Sequence, residues 1–182
     1  MSKRNNFIWI GLNVISWIIF VGLCIQAGGL ITNTVATLIL TPSGATKFWK
    51  EVDLSAVYNH NQSYFVMLSV LLVIVTILKV ILFYFILKIF HDKKLDLLKP
   101  FNETIKRFIL GMAYLALGIG FFASWGTTIV DNLAGQGIKI PGLNNLKIAG
   151  ADVWLFMGVS LLIIGFTFKR GIELQNESDL TV

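Results

Sequence analysis

Residues 7–40 read FIWIGLNVISWIIFVGLCIQAGGLITNTVATLIL and contain no Asp, Glu, Lys or Arg. The hydrocarbon core of a bilayer is crossed by roughly 20 apolar residues in a helix, so this run is long enough to span it. Lys3 and Arg4 precede the run, as they would in a secretory signal peptide. The apolar part of a signal peptide is only about 7–15 residues long, however, so we expect a retained membrane helix.

Three further apolar runs follow, and they define the predicted fold class. The chain has 182 residues, of which 55% are hydrophobic and only 14% are charged. Globular domains carry roughly 25% charged residues, so this composition indicates a membrane protein. We predict an all-α, integral membrane four-helix bundle that forms a single domain over residues 1–182. The predicted helices are 7–31, 64–90, 104–130 and 151–170, with 32–40 continuing as a helical extension or as an interfacial piece.

The distribution of Lys and Arg predicts the orientation. Ten of them flank one end of the apolar runs: Lys3, Arg4, Lys88, Lys93, Lys94, Lys99, Lys106, Arg107, Lys169 and Arg170. Four flank the other end: Lys47, Lys50, Lys139 and Lys147. Because basic residues accumulate in cytoplasmic loops, both termini are expected in the cytoplasm. This gives outer loops at 41–63 and 131–150, a cytoplasmic loop at 91–107 and a cytoplasmic tail at 171–182.

The loops carry signals of their own. The first outer loop is partly amphipathic, and its Trp49 and Tyr58 suit membrane headgroup anchors. Gly and Pro in the second outer loop favour turns. We expect both loops to pack over the outer end of the bundle, because Phe48, Trp49 and Ile140 need burial. In the cytoplasmic loop, Asn102 is a suitable N-cap for the third span.

Lys79 is the candidate for an intramembrane polar site. It lies within an apolar run, and an ionisable residue at such a position is a functional-site hypothesis by default. The simpler interpretation is that its long stem reaches the cytoplasmic headgroups. No acid is embedded in the predicted membrane interior to neutralise it. Matching the residues by depth predicts Asn13 of the first helix and Tyr114 of the third as its neighbours.

Small residues predict how the helices pack. Ala116, Gly120 and Ser124 recur at every fourth position, and Gly158 and Gly165 share a face of the last span. Such positions allow helix backbones to approach closely, which favours packing within the bundle; a homodimer seam is the alternative.

Signatures of an enzyme or a cofactor site are absent from the sequence. His60 and His91 are predicted on opposite sides of the membrane, so they cannot share a metal or haem. Cys24 is the only cysteine, which excludes an intramolecular redox pair. Asp131 and Asp152 lie at the predicted outer rim, where a solvated helix-end residue is the simpler interpretation. We therefore expect no catalytic residues, no metal site and no cofactor, and the basic residues follow membrane topology rather than nucleic-acid binding.

The cytoplasmic loop and the tail carry the most specific sequence pattern. Pro100-Phe101-Asn102 precedes the third helix, and the chain ends in a polar, mostly acidic segment. The loop and tail resemble those of DUF2975, a family of bacterial four-helix membrane proteins of unknown function. The matching tail residues are Arg170, Gly171, Leu174, Gln175, Glu177, Asp179, Leu180, Thr181 and Val182. The resemblance implies a bacterial cytoplasmic-membrane protein, often encoded beside a small helix-turn-helix regulator, and no known reaction.

Three functions follow as hypotheses. The first is a non-enzymatic membrane protein that binds a cytoplasmic partner, such as that regulator, or senses a signal through the cytoplasmic loop and tail. The second is a small oligomeric transporter or channel in which Lys79 lines the pathway for an anionic solute. The third, with the least support, is a membrane enzyme that uses the carboxylates at the outer rim.

Overall fold

The computed structural model describes residues 3–40, 42–49, 52–91 and 102–179. Over these residues the fold is all-α, and four of the helices are long and apolar enough to cross a membrane. The prediction of a four-helix membrane bundle is confirmed. In chain order the elements are α1 (Lys3–Ile39), a 3-10 helix (Pro42–Lys47), α2 (Ser55–His60), α3 (Gln62–His91), α4 (Glu103–Gly135) and α5 (Ala151–Asp179).

The long helices extend beyond their predicted ends. α1 runs to Ile39, so residues 32–39 are a helical extension. The hydroxyls of Thr32, Thr34 and Thr37 each donate to the carbonyl four residues earlier, so these hydroxyls are satisfied within the helix. Residues 131–135, predicted as loop, and residues 171–179, predicted as tail, are also helical.

The helices pack in the order α1, α3, α4, α5, and each contacts its neighbour in that order. In the described part of the chain α1 and α5 do not pack extensively against each other, so the bundle is open along that side. Both of these edge helices are mostly exposed, whereas α3 and α4 bury about a third of their apolar windows. The exposed apolar faces of α1 and α5 suit contact with lipid.

Glycines bring α4 and α5 together over their whole shared length. Gly120 lies against Leu155, Gly158 against Leu117, and Gly165 against Leu110. The predicted packing role of Gly120, Gly158 and Gly165 is therefore confirmed. Ala116 is also buried.

Ser124 departs from the predicted packing stripe because it is exposed. A four-residue step overshoots the 3.6-residue helical turn by about 40°, so a stripe at strict spacing of four drifts off the face. Ala123 takes the buried position instead.

A cap covers the end of the bundle at which α1 ends and α3 begins. It consists of residues 42–49, 52–60 and the α4–α5 loop (136–150), and we call this the capped end. Phe48 is fully buried, while Trp49 and Ile140 pack against the core. The expected packing of both loops over the bundle is confirmed.

Trp49 and Tyr58, the predicted headgroup anchors, are half-buried within the cap. Tyr58 meets Phe65 edge to face at 5.3 Å. The Trp49 ring lies so closely on Gly29 of α1 that a Cβ at this position would collide with it.

The opposite end of the bundle, where α1 begins and α5 ends, is the terminal end. There the predicted N-cap of α4 is confirmed: the Asn102 side chain accepts a hydrogen bond of 2.8 Å from the Ile105 N–H. Glu103 in the first turn pairs with Lys106 at 2.7 Å. Pro100 and Phe101, the other residues of the predicted cytoplasmic turn, lie outside the described residues.

Candidate functional site

A cleft of about 560 Å³ opens at the capped end between α1 and the cap. We call it the capped-end cleft. Residues from three parts of the chain line it: Gly22, Ile25 and Gln26 of α1, Trp49 and Val52 of the cap between α1 and α2, and Asn145 and Lys147 of the α4–α5 loop. Its volume falls within the range of about 300–1,000 Å³ that is usual for small-molecule sites.

The capped-end cleft combines apolar walls with a few polar groups. Ile25, Trp49 and Val52 supply the apolar surface, and Gln26 and Asn145 supply side-chain amides that both donate and accept. Lys147 adds the cation of the site. This arrangement suits a ligand with an apolar body and one polar or anionic group.

Local hydrogen bonds hold the Trp49 wall of the cleft in place. The Phe48 N–H donates to the Val52 carbonyl at 3.0 Å, and the Val52 N–H donates to the Trp49 carbonyl at 2.9 Å. The Asn33 side-chain amide donates to the Phe48 carbonyl and so ties this turn to α1.

Further along the cap, hydrogen bonds from the Ser55 hydroxyl and the Ser55 N–H hold the pKa of Asp53 below its ordinary value.

The α4–α5 loop reaches deep along α4. Ile148 is buried against Gly126, and α4 continues past Gly126 to Gly135, which is roughly 13 Å at 1.5 Å per residue. Irregular backbone at membrane depth is tolerated only where protein buries it or where it lines a cavity. The loop meets both conditions, because Leu146 and Ile148 are buried while Lys147 between them lines the cleft.

Lys79 of α3 fixes this loop. Its ammonium donates to the Lys147 backbone carbonyl at 2.8 Å and lies 5.6 Å from the centroid of the Trp154 ring. Lys147 has a φ of 61°, a left-handed conformation that is uncommon for a residue other than glycine. The Lys79 ammonium of α3 thus donates to the Lys147 carbonyl, which has no helical partner in this strained turn.

The predicted grouping of Lys79 with Asn13 and Tyr114 is wrong. Asn13 lies on α1 between Trp9, whose ring packs edge to face on Phe90, and Trp17, whose ring contacts His91. This places Asn13 at the terminal end, roughly 17 Å along α3 from Lys79. The Asn13 Oδ1 atom is buried without a hydrogen-bond partner in the described residues.

The contacts of the Lys79 ammonium go to the Lys147 carbonyl and the Trp154 ring instead of to Tyr114, which is 62% exposed. The Lys79 ammonium turns toward the capped end, away from the terminal end that the Lys and Arg distribution predicts to be cytoplasmic, so its stem does not reach the headgroups at the terminal end. The depth of Asn13 relative to Lys79 was predicted wrongly because α1 is much longer than the membrane is thick. At 37 residues, α1 is roughly 55 Å long and exceeds the bilayer core of about 30 Å. The ends of such a helix do not reveal its register against α3.

The cleft residues Gln26, Asn145 and Lys147, and the Lys79 partner Trp154, were missed by sequence reasoning. Gln26 was the available signal, since an amide within an apolar run needs a polar surrounding. The two loop residues gave no signal, because nothing in a Gly-rich turn segment indicates that it turns back along a helix.

The predicted tail residues lie at the far end of α5. Arg170, Gly171, Leu174, Gln175, Glu177 and Asp179 belong to that helix. Leu180, Thr181 and Val182 lie outside the described residues. α5 therefore continues for nine residues past the Lys169–Arg170 pair, roughly 13 Å beyond it.

The two histidines are far apart, as predicted. His60 ends α2 in the cap, and His91 ends α3 at the terminal end. Asp152 lies in the first turn of α5, where it favours the helix dipole. Among the described residues no group of three or more His, Cys, Asp or Glu side chains could hold a metal ion.

No family model, curated protein or solved structure matches this chain. The resemblance of the tail and the cytoplasmic loop to the DUF2975 family therefore stays a prediction.

Proposed function

We propose that this is a non-enzymatic, multi-pass protein of the bacterial cytoplasmic membrane that binds a cytoplasmic partner through the end of α5. The terminal end faces the cytoplasm in this proposal. The excess of Lys and Arg around that end supports the orientation, because basic residues accumulate on the cytoplasmic side. A soluble partner such as a helix-turn-helix regulator fits the family resemblance.

The observation that carries the proposal is the projection of α5 over residues 171–179. Leu174 is 61% exposed there, with the exposed residues Glu173 and Asn176 near it in sequence. A helix that passes its basic membrane stop and then presents an apolar side chain beside an acidic and an amide side chain suits a docking element. An amphipathic helix of this kind binds through apolar anchors, and its charges select a basic partner surface.

α5 also links this projection to the capped-end cleft, which supports a sensing role. The loop that lines the cleft leads directly into α5, and Trp154 in the first turn of α5 contacts Lys79. A ligand can bind more tightly to a conformation of the cleft in which Lys147 is displaced. Such a ligand would favour the conformation in which the hydrogen bond from Lys79 to the Lys147 carbonyl is broken. Such a shift at the start of α5 moves one continuous helix that ends at Asp179.

A photo-crosslinking residue at Gln175 tests the partner-binding role in living cells. We expect capture of one soluble protein, and loss of that capture in the Leu174→Glu variant. Asn176→Glu is the matched control, since it adds the same charge to the same helix without removing an apolar side chain. Equal capture by both variants, or capture of lipid and of the chain itself only, would contradict the proposal.

Transport through an oligomer lined by Lys79 has less support. The Lys79 ammonium already donates to the Lys147 carbonyl and lies over the Trp154 ring. A solute would have to replace both contacts. Solute flux that Lys79→Met abolishes, with the fold unchanged, would favour transport over partner binding.

A further inference from the structure

A second cleft, of about 570 Å³, lies at the terminal end between α1 and α3. We call it the terminal-end cleft. It is lined by Trp17 and Phe20 of α1 and by Tyr84, Leu87, Lys88 and His91 of α3. None of these residues contributes to the capped-end cleft or to the projection of α5, so the proposed function leaves this cleft unexplained.

Aromatic side chains line the cleft from its mouth inward. Trp17 and Phe20 pack edge to face at 5.9 Å and form an aromatic wall on α1. On α3, Lys88 and His91 lie at the end of the helix, while Tyr84 lies about 10 Å deeper than His91. The Trp17 ring contacts His91 at 6.5 Å, so the aromatic wall begins at the mouth, beside the positive charge of Lys88.

Lys88 supplies a positive charge at the mouth, and the His91 ring lies beside it. No carboxylate of the described residues forms an ion pair with Lys88, whose side chain is exposed. The His91 Nδ1 atom lies 3.0 Å from the Leu87 carbonyl, which orients the ring and leaves Nε2 open.

Helix-dipole complementarity alone would account for cations at the end of α3, but not for an aromatic cleft beside them. Cationic pockets between membrane helices bind anionic lipid headgroups. The volume suits a headgroup and the first part of an acyl chain, whereas a second helix would be about 10–12 Å across with its side chains.

We propose that the terminal-end cleft binds an anionic phospholipid, with its phosphate at Lys88 and His91 and an acyl chain against Trp17 and Phe20. Charge complementarity selects the anionic lipid over a zwitterionic one. The lipid occupies the groove between α1 and α3 and so joins the edge helix α1 to the rest of the bundle. The proposal does not depend on the proposed function.

The test uses the full chain, purified in a neutral detergent and titrated with dioleoyl phosphatidylglycerol or dioleoyl phosphatidylcholine. Retained lipid is counted by native mass spectrometry. One cation near a membrane surface contributes about 1 kcal/mol, so we expect the Lys88 charge to give about a fivefold preference for phosphatidylglycerol. The double variant Lys88→Gln/His91→Gln should bind the two lipids about equally.

A matched control changes the same residue types at the capped end. Lys139→Gln/His60→Gln should keep the preference of the unmodified chain, and so should Lys88→Arg, which retains the charge. Unfolding temperatures in detergent check that every variant is folded, as expected for exposed side chains.

Three outcomes would overturn the proposal. The unmodified chain binds both lipids equally, the Lys88→Gln/His91→Gln variant keeps its preference, or inorganic phosphate at the lipid concentration displaces phosphatidylglycerol. The last result would mean that the mouth takes a free anion and that the aromatic wall holds no chain.

Discussion

A lysine within a membrane helix needs a partner, because an ammonium group in hydrocarbon is costly. An acid, an aqueous headgroup region or a backbone carbonyl provides the usual solution. Lys79 takes the carbonyl of Lys147 and adds the face of the Trp154 ring, whose quadrupole attracts a cation. Through these two contacts, Lys79 joins α3 to the α4–α5 loop and to the start of α5.

Replacing Lys79 with Met should destabilise the protein. Met keeps an unbranched, apolar stem but leaves the Lys147 carbonyl without its donor. A hydrogen bond to a charged group contributes about 1.5–3 kcal/mol, and partial exposure puts the expected loss at the lower end of that range. The measurement is the unfolding temperature in detergent, followed by tryptophan fluorescence.

Lys139→Met is the control for this change, because Lys139 is an exposed residue of the same loop. It should leave the unfolding temperature unchanged. Equal stability of Lys79→Met and the unmodified chain would contradict the anchoring role and would return Lys79 to the transport hypothesis.

Gly29 and Gly28 form a natural pair for testing the cap. A Cβ at Gly29 would collide with the Trp49 ring, whereas a Cβ at Gly28 would meet nothing within 4 Å. We expect Gly29→Ala to displace Trp49 and to cost about 1–3 kcal/mol, as overpacking does. Gly28→Ala should be neutral or slightly stabilising, because Ala is the better helix former.

Unfolding temperature and quenching of tryptophan fluorescence by a soluble quencher measure the two glycine variants. Relative to Gly28→Ala, Gly29→Ala should lower the unfolding temperature and increase the quenching of tryptophan fluorescence. Identical behaviour of the two variants would mean that Trp49 does not rest on α1.

At the scale of elements, the sequence predicts what hydropathy and local chemistry control. Four long apolar runs predict four spans, and Asn102 predicts the start of α4, because an N-cap acts over three residues. The ends of α4 and α5 were missed, since polar residues such as Asn132 and Gln175 are compatible with both helix and loop. Helix propensity is a weak prior, and tertiary packing decides such cases.

The interface between α4 and α5 gives a prediction at this scale. A Cβ at Gly120 would lie 2.9 Å from the Leu155 backbone nitrogen, so only a shift of the whole helix could relieve the clash. A Cβ at Gly118 would lie 3.5 Å from Leu78, which is ordinary contact. We expect Gly120→Ala to lower stability by about 1–3 kcal/mol, and Gly118→Ala to leave it nearly unchanged.

Thermal unfolding in detergent compares the two α4 variants. A Gly120→Ala protein as stable as the Gly118→Ala protein would show that α4 and α5 are farther apart than their glycines indicate.

At the scale of the whole molecule, the sequence predicts the spans but not their lateral order or their register. Hydropathy indicates that a segment prefers lipid, but it contains no information on which helix the segment packs against. Asn13 and Lys79 illustrate this: both are polar residues in apolar runs, yet one lies at the terminal end and the other holds a loop of the cap. The open arrangement of α1, α3, α4 and α5 likewise comes from packing, since all four runs are similarly apolar.

The proposed orientation can be tested with single cysteines, because the chain has only Cys24. In a Cys24→Ser background, Gln136→Cys places a thiol in the exposed turn at the capped end, and Asn176→Cys places one on the exposed end of α5. If the terminal end faces the cytoplasm, a membrane-impermeant maleimide should label Gln136→Cys in intact cells. Asn176→Cys should react only after the membrane is opened. The reverse pattern would place the cap in the cytoplasm, and the projection of α5 would then face away from every cytoplasmic partner.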